Sequence, residues 1–172
     1  AISGGAVRLD GGSSNNNASQ ITFGVASTIF SNSQNLVLEC AVQISDNTSG
    51  FNLLTGFTDR ADTANFTVSR QNETSAIAFG AGVWELGTWS AGTGASARST
   101  SSVDTLKHIV RLESTETLVS LFLDNAASSI ASRTANIPTA NMRFGSQIDI
   151  SGNLTTRSRV DIDYILMLQN RV

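Results

Sequence analysis

The stretch Leu106–Asp124, LKHIVRLESTETLVSLFLD, restricts the fold more than any other part of the chain. It is two apolar runs joined by the polar cluster Glu113 to Thr117, and each run is rich in β-branched and aromatic residues and too short for an ordinary helix. The pattern predicts a β-hairpin. In its first arm Leu106, His108, Val110 and Leu112 share one face and Lys107, Ile109, Arg111 and Glu113 the other. In the second arm Val119, Leu121 and Leu123 share a face, while Leu118 and Phe122 lie opposite and call for cover on that side as well.

Other segments repeat the period of two. Strands are predicted near Gly5 to Leu9, Ile21 to Val25, Asn35 to Ser45, Phe51 to Thr58, Phe66 to Arg70, Ala76 to Gly80 and Val83 to Trp89. After the hairpin come Ser128 to Thr134, Met142 to Ile150 and Arg157 to Gln169. In the last of these Val160, Ile162, Tyr164, Leu166 and Leu168 are expected on one face, with Asp161, Asp163, Ile165, Met167 and Gln169 on the other. The low-complexity segment Ser90 to Ser102, SAGTGASARSTSS, reads as a surface loop or arm. Many strands, frequent turn signals and no helical period imply an all-β, antiparallel two-sheet sandwich or jelly roll. No repeat or linker divides the chain, so residues 1–172 are expected to form a single domain, with the strand at Val160 beside those at Leu36 or Val7.

Charge excludes several partners. Only 15% of residues are charged, the net charge is -3 and the pI is near 5.0, which leaves no basic field for nucleic acid or an anionic membrane. No apolar run approaches the roughly 20 residues of a membrane span, and AISGGAVRLD does not read as a signal peptide, so a soluble chain is expected. Cys40 falls in the apolar phase of LVLECAVQI and is expected as a small buried hydrophobe. Abundant Ser, Thr, Asn and Gly with a single Lys suit an extracellular or virion surface.

The segments GGAVRLD, NLVLECAVQIS, LKHIVRLESTETLVSLFLDN, SRTANIPTANMRFGSQI and VDIDYILMLQ together resemble the concanavalin A-like lectin/glucanase jelly roll, in the laminin-G-like form common on bacteriophage tail and capsid proteins. The resemblance implies two antiparallel sheets, one of them concave, with glycan or protein ligands taken on the concave face or the rim loops. It also implies a virion setting and a homo-oligomer, usually a trimer.

Glucanases of this fold carry E-x-D-x-E or E-x-D-x-x-E on one strand, which sets two carboxyls roughly 5 to 5.5 Å apart. No strand here has that motif. Asp161 and Asp163 are expected to pair with Arg8, Arg157 or Arg159, and Glu39 to form a cross-strand ion pair or a glycan hydrogen bond. The one histidine, His108, lies in an apolar phase and reads as a packed imidazole rather than a base, and one His with one Cys does not make a zinc site. No catalytic residue and no enzyme activity are therefore expected. Asp59, Asp62 and Asn65 in FTDRADTAN read either as turn formers or as oxygen ligands of a calcium ion, the one cofactor considered.

Binding residues are sought in VWELGTW. Trp84 and Trp89, with Glu85 between them, could stack on a sugar or anchor an interface, but the two tryptophans differ in parity, so at least one belongs to the core. Two functions follow. The first is a non-enzymatic virion surface protein, a capsid decoration or cement protein or a tail fibre or spike domain, that binds neighbouring virion subunits through outward apolar residues (Val37, Ile109, Leu118, Phe122, Ile165, Met167). The alternative is a carbohydrate-binding module that recognises a cell-surface glycan.

Overall fold

A computed structural model describes residues 6–12, 18–23, 30–45, 50–59, 72–79, 82–150 and 158–170. Alternating apolar residues form strands β1 (Val7–Gly12), β2 (Ala18–Phe23), β3 (Leu36–Ile44), β4 (Phe51–Thr58), β5 (Glu73–Phe79) and β6 (Val83–Ser90). They are followed by β7 (Thr93–Ser102), β8 (Lys107–Ser114), β9 (Val119–Leu123), β10 (Ala131–Arg133), β11 (Arg143–Ile150) and β12 (Ser158–Leu168). Sheet 1 has the order β1-β12-β3-β8-β9-β10 and sheet 2 the order β2-β11-β4-β5-β6-β7, each with six strands and antiparallel throughout. The predicted strand Phe66 to Arg70 lies outside the described residues.

The hairpin of the opening argument is β8 and β9, with Leu112 opposite Leu121 and the turn closed by the Thr115 amide donating to the Leu118 carbonyl at 2.8 Å. β12 lies between β1 and β3, as the pattern at Val160 predicted. The inner faces of the two sheets meet in one apolar layer. Leu38, Cys40, Leu112 and Leu121 come from sheet 1, and Leu53, Trp84, Leu86 and Phe144 from sheet 2, all at most 1% exposed. Burial pushes the Cys40 thiol up to about 12, which keeps it protonated and inert.

Two expectations fail, for different reasons. The segment Ser90 to Ser102 is not a loop: Ala91 (φ 48) and Gly92 (φ 80) make a tight turn with two positive φ values, and the chain returns as β7, paired along β6 from Ser90–Thr93 to Glu85–Arg98. As the last strand of its sheet it needs no apolar alternation, so its small polar residues concealed it. In β12 the face assignment breaks at a bulge between Ile162 and Ile165. Val160 and Ile162 point inward as expected, but beyond the bulge Ile165 and Met167 pack on the core and Tyr164, Leu166 and Leu168 turn outward. Among the described residues Phe122 has no second layer over it. The Arg111 guanidinium covers its ring at 4.4 Å.

Polar residues fasten the layers. Asn32, in a one-turn 3-10 helix (Asn32–Gln34), is fully buried; its amide donates to Thr74 Oγ1 (3.1 Å) and the Pro138 carbonyl (2.8 Å) and accepts from Ser114 Oγ (2.5 Å). That one side chain joins β5 of sheet 2 to β8 of sheet 1. At the other end of β8, His108 Nδ1 meets Asp124 (2.8 Å) and Nε2 meets Asp104 (3.0 Å), with the Trp84 ring edge-on at 6.0 Å. Asp104 and Asp124 also accept from the Leu106 and Ile109 amides, so the imidazole ties the entry of β8 to the exit of β9. Asp161 takes one of its expected partners, Arg8, through two 2.7 Å contacts, whereas Asp163 pairs with Lys107, which was not among the partners expected for it.

Two stability predictions follow from these braces. Asn32→Ala strands buried partners in both sheets and should cost about 2–4 kcal/mol in chemical denaturation. For His108, burial lowers the pKa, but the two carboxylates outweigh it and hold the group above its usual 6.5. Its contribution is therefore full below pH 6.5 and fades as pH rises through the raised native value. His108→Ala should lose about 1 kcal/mol on the acid side and progressively less on the alkaline side; thermal melts across that window would give a flat difference if the brace were uncharged.

Candidate functional site

Strand parity decides what sheet 2 turns away from the core. β11 contributes Arg143, Gly145 and Gln147, β4 contributes Leu54, Gly56 and Thr58, β5 contributes Glu73, Ser75 and Ile77, and β6 contributes Glu85, Gly87 and Trp89. Register arranges these in rows across the strands. One row is Arg143, Thr58, Glu73 and Trp89. The next is Gly145, Gly56, Ser75, Gly87 and Ser96, small residues on five adjacent strands, and the third is Gln147, Leu54, Ile77, Glu85 and Arg98.

The middle row forms a furrow. At its β4–β5 crossing a cavity of about 10 Å³, room for one water, is lined by Gly56, Gly145, Thr58, Glu73 and Ser75. Ser75 Oγ donates to the Glu73 carboxylate at 2.5 Å. At the β6–β7 end the furrow is filled by the Trp89 indole. A Cβ on Gly87 would stand 2.1 Å from one ring carbon of Trp89, and a Cβ on Gly94 would stand 2.4 Å from two others and 2.2 Å from the Thr88 carbonyl oxygen. The ring thus lies flat along the sheet from Gly94 to Gly87, half-buried, with Leu54 and Ile77 at its side.

Glu85 is the next outward residue past Gly87, roughly 7 Å along the strand. Its carboxylate accepts from Ser96 Oγ (2.5 Å) and Arg98 Nε (3.0 Å), and the Arg98 side chain is 72% exposed. The carboxylate is itself buried, its side chain 8% exposed, so what it fixes at the border of the ring is the Ser96 hydroxyl and the Arg98 guanidinium. A flat aromatic surface bordered by a fixed acceptor and an exposed guanidinium suits a ring with one apolar face and hydroxyl edges.

Of the residues singled out in VWELGTW, Trp89 and Glu85 therefore share the outward face. Trp84, at 1% exposure, is core, as the parity argument required of one tryptophan. Arg143, Glu73 and Gln147 were missed: they are buried on this face and come from two strands, β11 and β5, so no linear motif joins them. The loop residues part company. Both oxygens of Asp59 accept from Asn72, at 3.2 and 2.7 Å, and Asn72 in turn accepts from the Ala91 amide, so Asp59 anchors the β4–β5 connection to the β6–β7 turn. Asp62 and Asn65 lie outside the described residues, and among the described residues no group of three His, Cys, Asp or Glu side chains is placed to hold a metal.

No protein-family model matches the chain, and no curated protein matches it in sequence. Solved structures do. An alginate lyase of polysaccharide lyase family 7 superposes with a TM-score of 0.69 at 11% identity, over 99% of this chain and 82% of the lyase. The Bacillus licheniformis β-glucanase gives 0.67 at 12% identity over 99% and 81%, and the carbohydrate recognition domain of Emp47p gives 0.66 at 9% over 97% and 86%. The fold is the concanavalin A-like jelly roll. These neighbours bind or cleave glycans, and a virion setting draws no support from them. The expectation that the chain is not an enzyme is corrected by the same finding, since two of the three are glycan-cleaving enzymes on this fold. A search for one strand's E-x-D-x-E does not test a site assembled across strands, and this face presents Glu73 and Glu85 from neighbouring ones.

The seating of Trp89 makes a direct test. The atoms nearest a Cβ at Gly87 belong to the Trp89 and Ile77 side chains, so Gly87→Ala should lift the indole and red-shift part of the tryptophan emission, leaving the Trp84 component in place, at a cost of about 1–3 kcal/mol in stability. An unchanged spectrum would mean that the ring is not held against the sheet.

Proposed function

We propose that the chain recognises a carbohydrate on the outward face of sheet 2, with Trp89 as the stacking surface and Glu85, Arg98 and Ser96 as its polar border. The observation that carries this is the placement of Trp89: a partly exposed indole laid flat over two glycines, on the same face as a carboxylate held by two donors. A sugar stacked on the ring brings its hydroxyl edge to Arg98 and Ser96, which Glu85 holds in place, with the apolar C–H face on the indole. Fold neighbours that bind or cleave glycans support the reading by analogy of scaffold. The outward apolar residues expected to mark a virion interface support that alternative less than they did, because Ile165 and Met167 pack on the core.

The test is a glycan screen with neutral β-glucan and alginate oligosaccharides, read by calorimetry and followed for new reducing ends or unsaturated product so that cleavage is detected beside binding. Trp89→Ala should weaken binding at least tenfold, about 1.4 kcal/mol or more, in a protein that keeps its fold. Trp84→Ala should instead cost about 3–5 kcal/mol of stability. Glycan binding unaltered by Trp89→Ala would remove the platform.

A further inference from the structure

We infer that the glycan taken on this face is acidic, and that Arg98 selects it by receiving the carboxylate of a uronic acid unit. This rests on the reading of the face given above and adds the chemical class of the sugar. On the described strands of sheet 2 the charged side chains turned away from the core are Arg143 and Asp149 of β11, Glu73 of β5, Glu85 of β6 and Arg98 of β7. Arg143, Asp149, Glu73 and Glu85 are at most 6% exposed, whereas the Arg98 side chain is 72% exposed. Among the described residues of this face, the charge that a ligand meets is therefore a cation, although three of the five groups are carboxylates.

The guanidinium is held as well as exposed. Glu85 Oε1 lies 3.0 Å from Arg98 Nε, and the other Glu85 oxygen accepts from Ser96 Oγ at 2.5 Å, so the buried carboxylate grips β7 at two points. A free arginine side chain loses rotamer freedom when it takes a ligand, and here part of that loss is already met in the folded chain. The two terminal nitrogens lie beyond Nε, and a planar fork of N–H donors matches a carboxylate through two parallel bonds. Glu85 would repel an acid if it stood bare, but it is buried and neutralised by the same guanidinium.

Register sets the distance between the two ligand contacts. The Trp89 indole ends over Gly87, which pairs with Ser96, and the next outward pair along the ladder is Glu85 with Arg98. A substituent projecting from the rim of a stacked pyranose along the strand direction thus has roughly 7 Å to cover from the end of the ring to the Arg98 row, part of it bridged by the arginine side chain itself. In a neutral hexose that substituent is a hydroxymethyl group, which forms ordinary hydrogen bonds. In a uronic acid it is a carboxylate, and the guanidinium takes it through charge-assisted bonds roughly twice as strong.

Calorimetry with alginate, polygalacturonate and glucuronan oligosaccharides, each beside its carboxyl-reduced counterpart, makes the test, because the members of a pair differ only at the acid. At least one acidic oligomer should bind the wild-type chain roughly tenfold or more tighter than its reduced partner. Arg98→Gln keeps a donor for Glu85 and should bring that ratio close to unity, in a protein whose far-UV spectrum matches the wild type. Equal binding within every pair, or tighter binding of the reduced members, overturns this inference and leaves the face as a site for neutral glycan. A preference that survives Arg98→Gln overturns the selecting role of Arg98. Failure of every oligomer to bind removes the face as a carbohydrate site, and this inference with it.

Discussion

The buried amide of Asn32 is one of the points at which the two sheets are fixed to each other, with the Arg133 guanidinium of β10 donating to Thr88 of β6 as another. A sandwich held only by an apolar layer leaves its sheets free to slide, because hydrophobic contact is non-directional. Asn32 removes that freedom by bonding Thr74 in sheet 2, Ser114 in sheet 1 and the carbonyl of Pro138 at once. Because no water reaches it, each bond has no substitute. Strand register aligns the rows on the outward face of sheet 2, and β5 connects them to this brace by carrying Thr74 inward and Glu73 and Ser75 outward.

Much of the fold was readable because burial on one side forces a period of two. β3, β4 and the β8–β9 hairpin follow that rule and were placed within a residue or two from sequence. β7 did not follow it, because this last strand of its sheet sets small residues, Ala97 and Ser99 among them, toward the core and so shows no apolar alternation. β12 followed it only as far as Ile162. A bulge is a matter of backbone pairing, here with β3, and leaves no mark in the composition of VDIDYILMLQ, so the inward and outward assignments beyond it were exchanged.

The site divides along the same line. Parity alone set Trp84 and Trp89 on opposite faces, since both lie on β6 without an intervening shift against β5, and burial shows that Trp84 is the one in the core. The rows that surround Trp89 could not be read, because each takes one residue from each of several strands, and adjacency across strands depends on register. The absent glucanase motif was a true reading of individual strands, but it did not bear on a face composed of five.

The seat under Trp89 is made by subtraction, and this separates two kinds of evolutionary freedom. Gly94 is confined by main chain as well as by the ring, and Gly87 by the ring and Ile77, so neither can gain an atom without displacing something. The occupant is under a weaker constraint, for any planar side chain can lie over two bare stretches of backbone. Selection on such a surface can exchange the aromatic residue and so alter which ligand it favours while the scaffold is untouched, whereas drift at either glycine would erase the surface before it could change its preference.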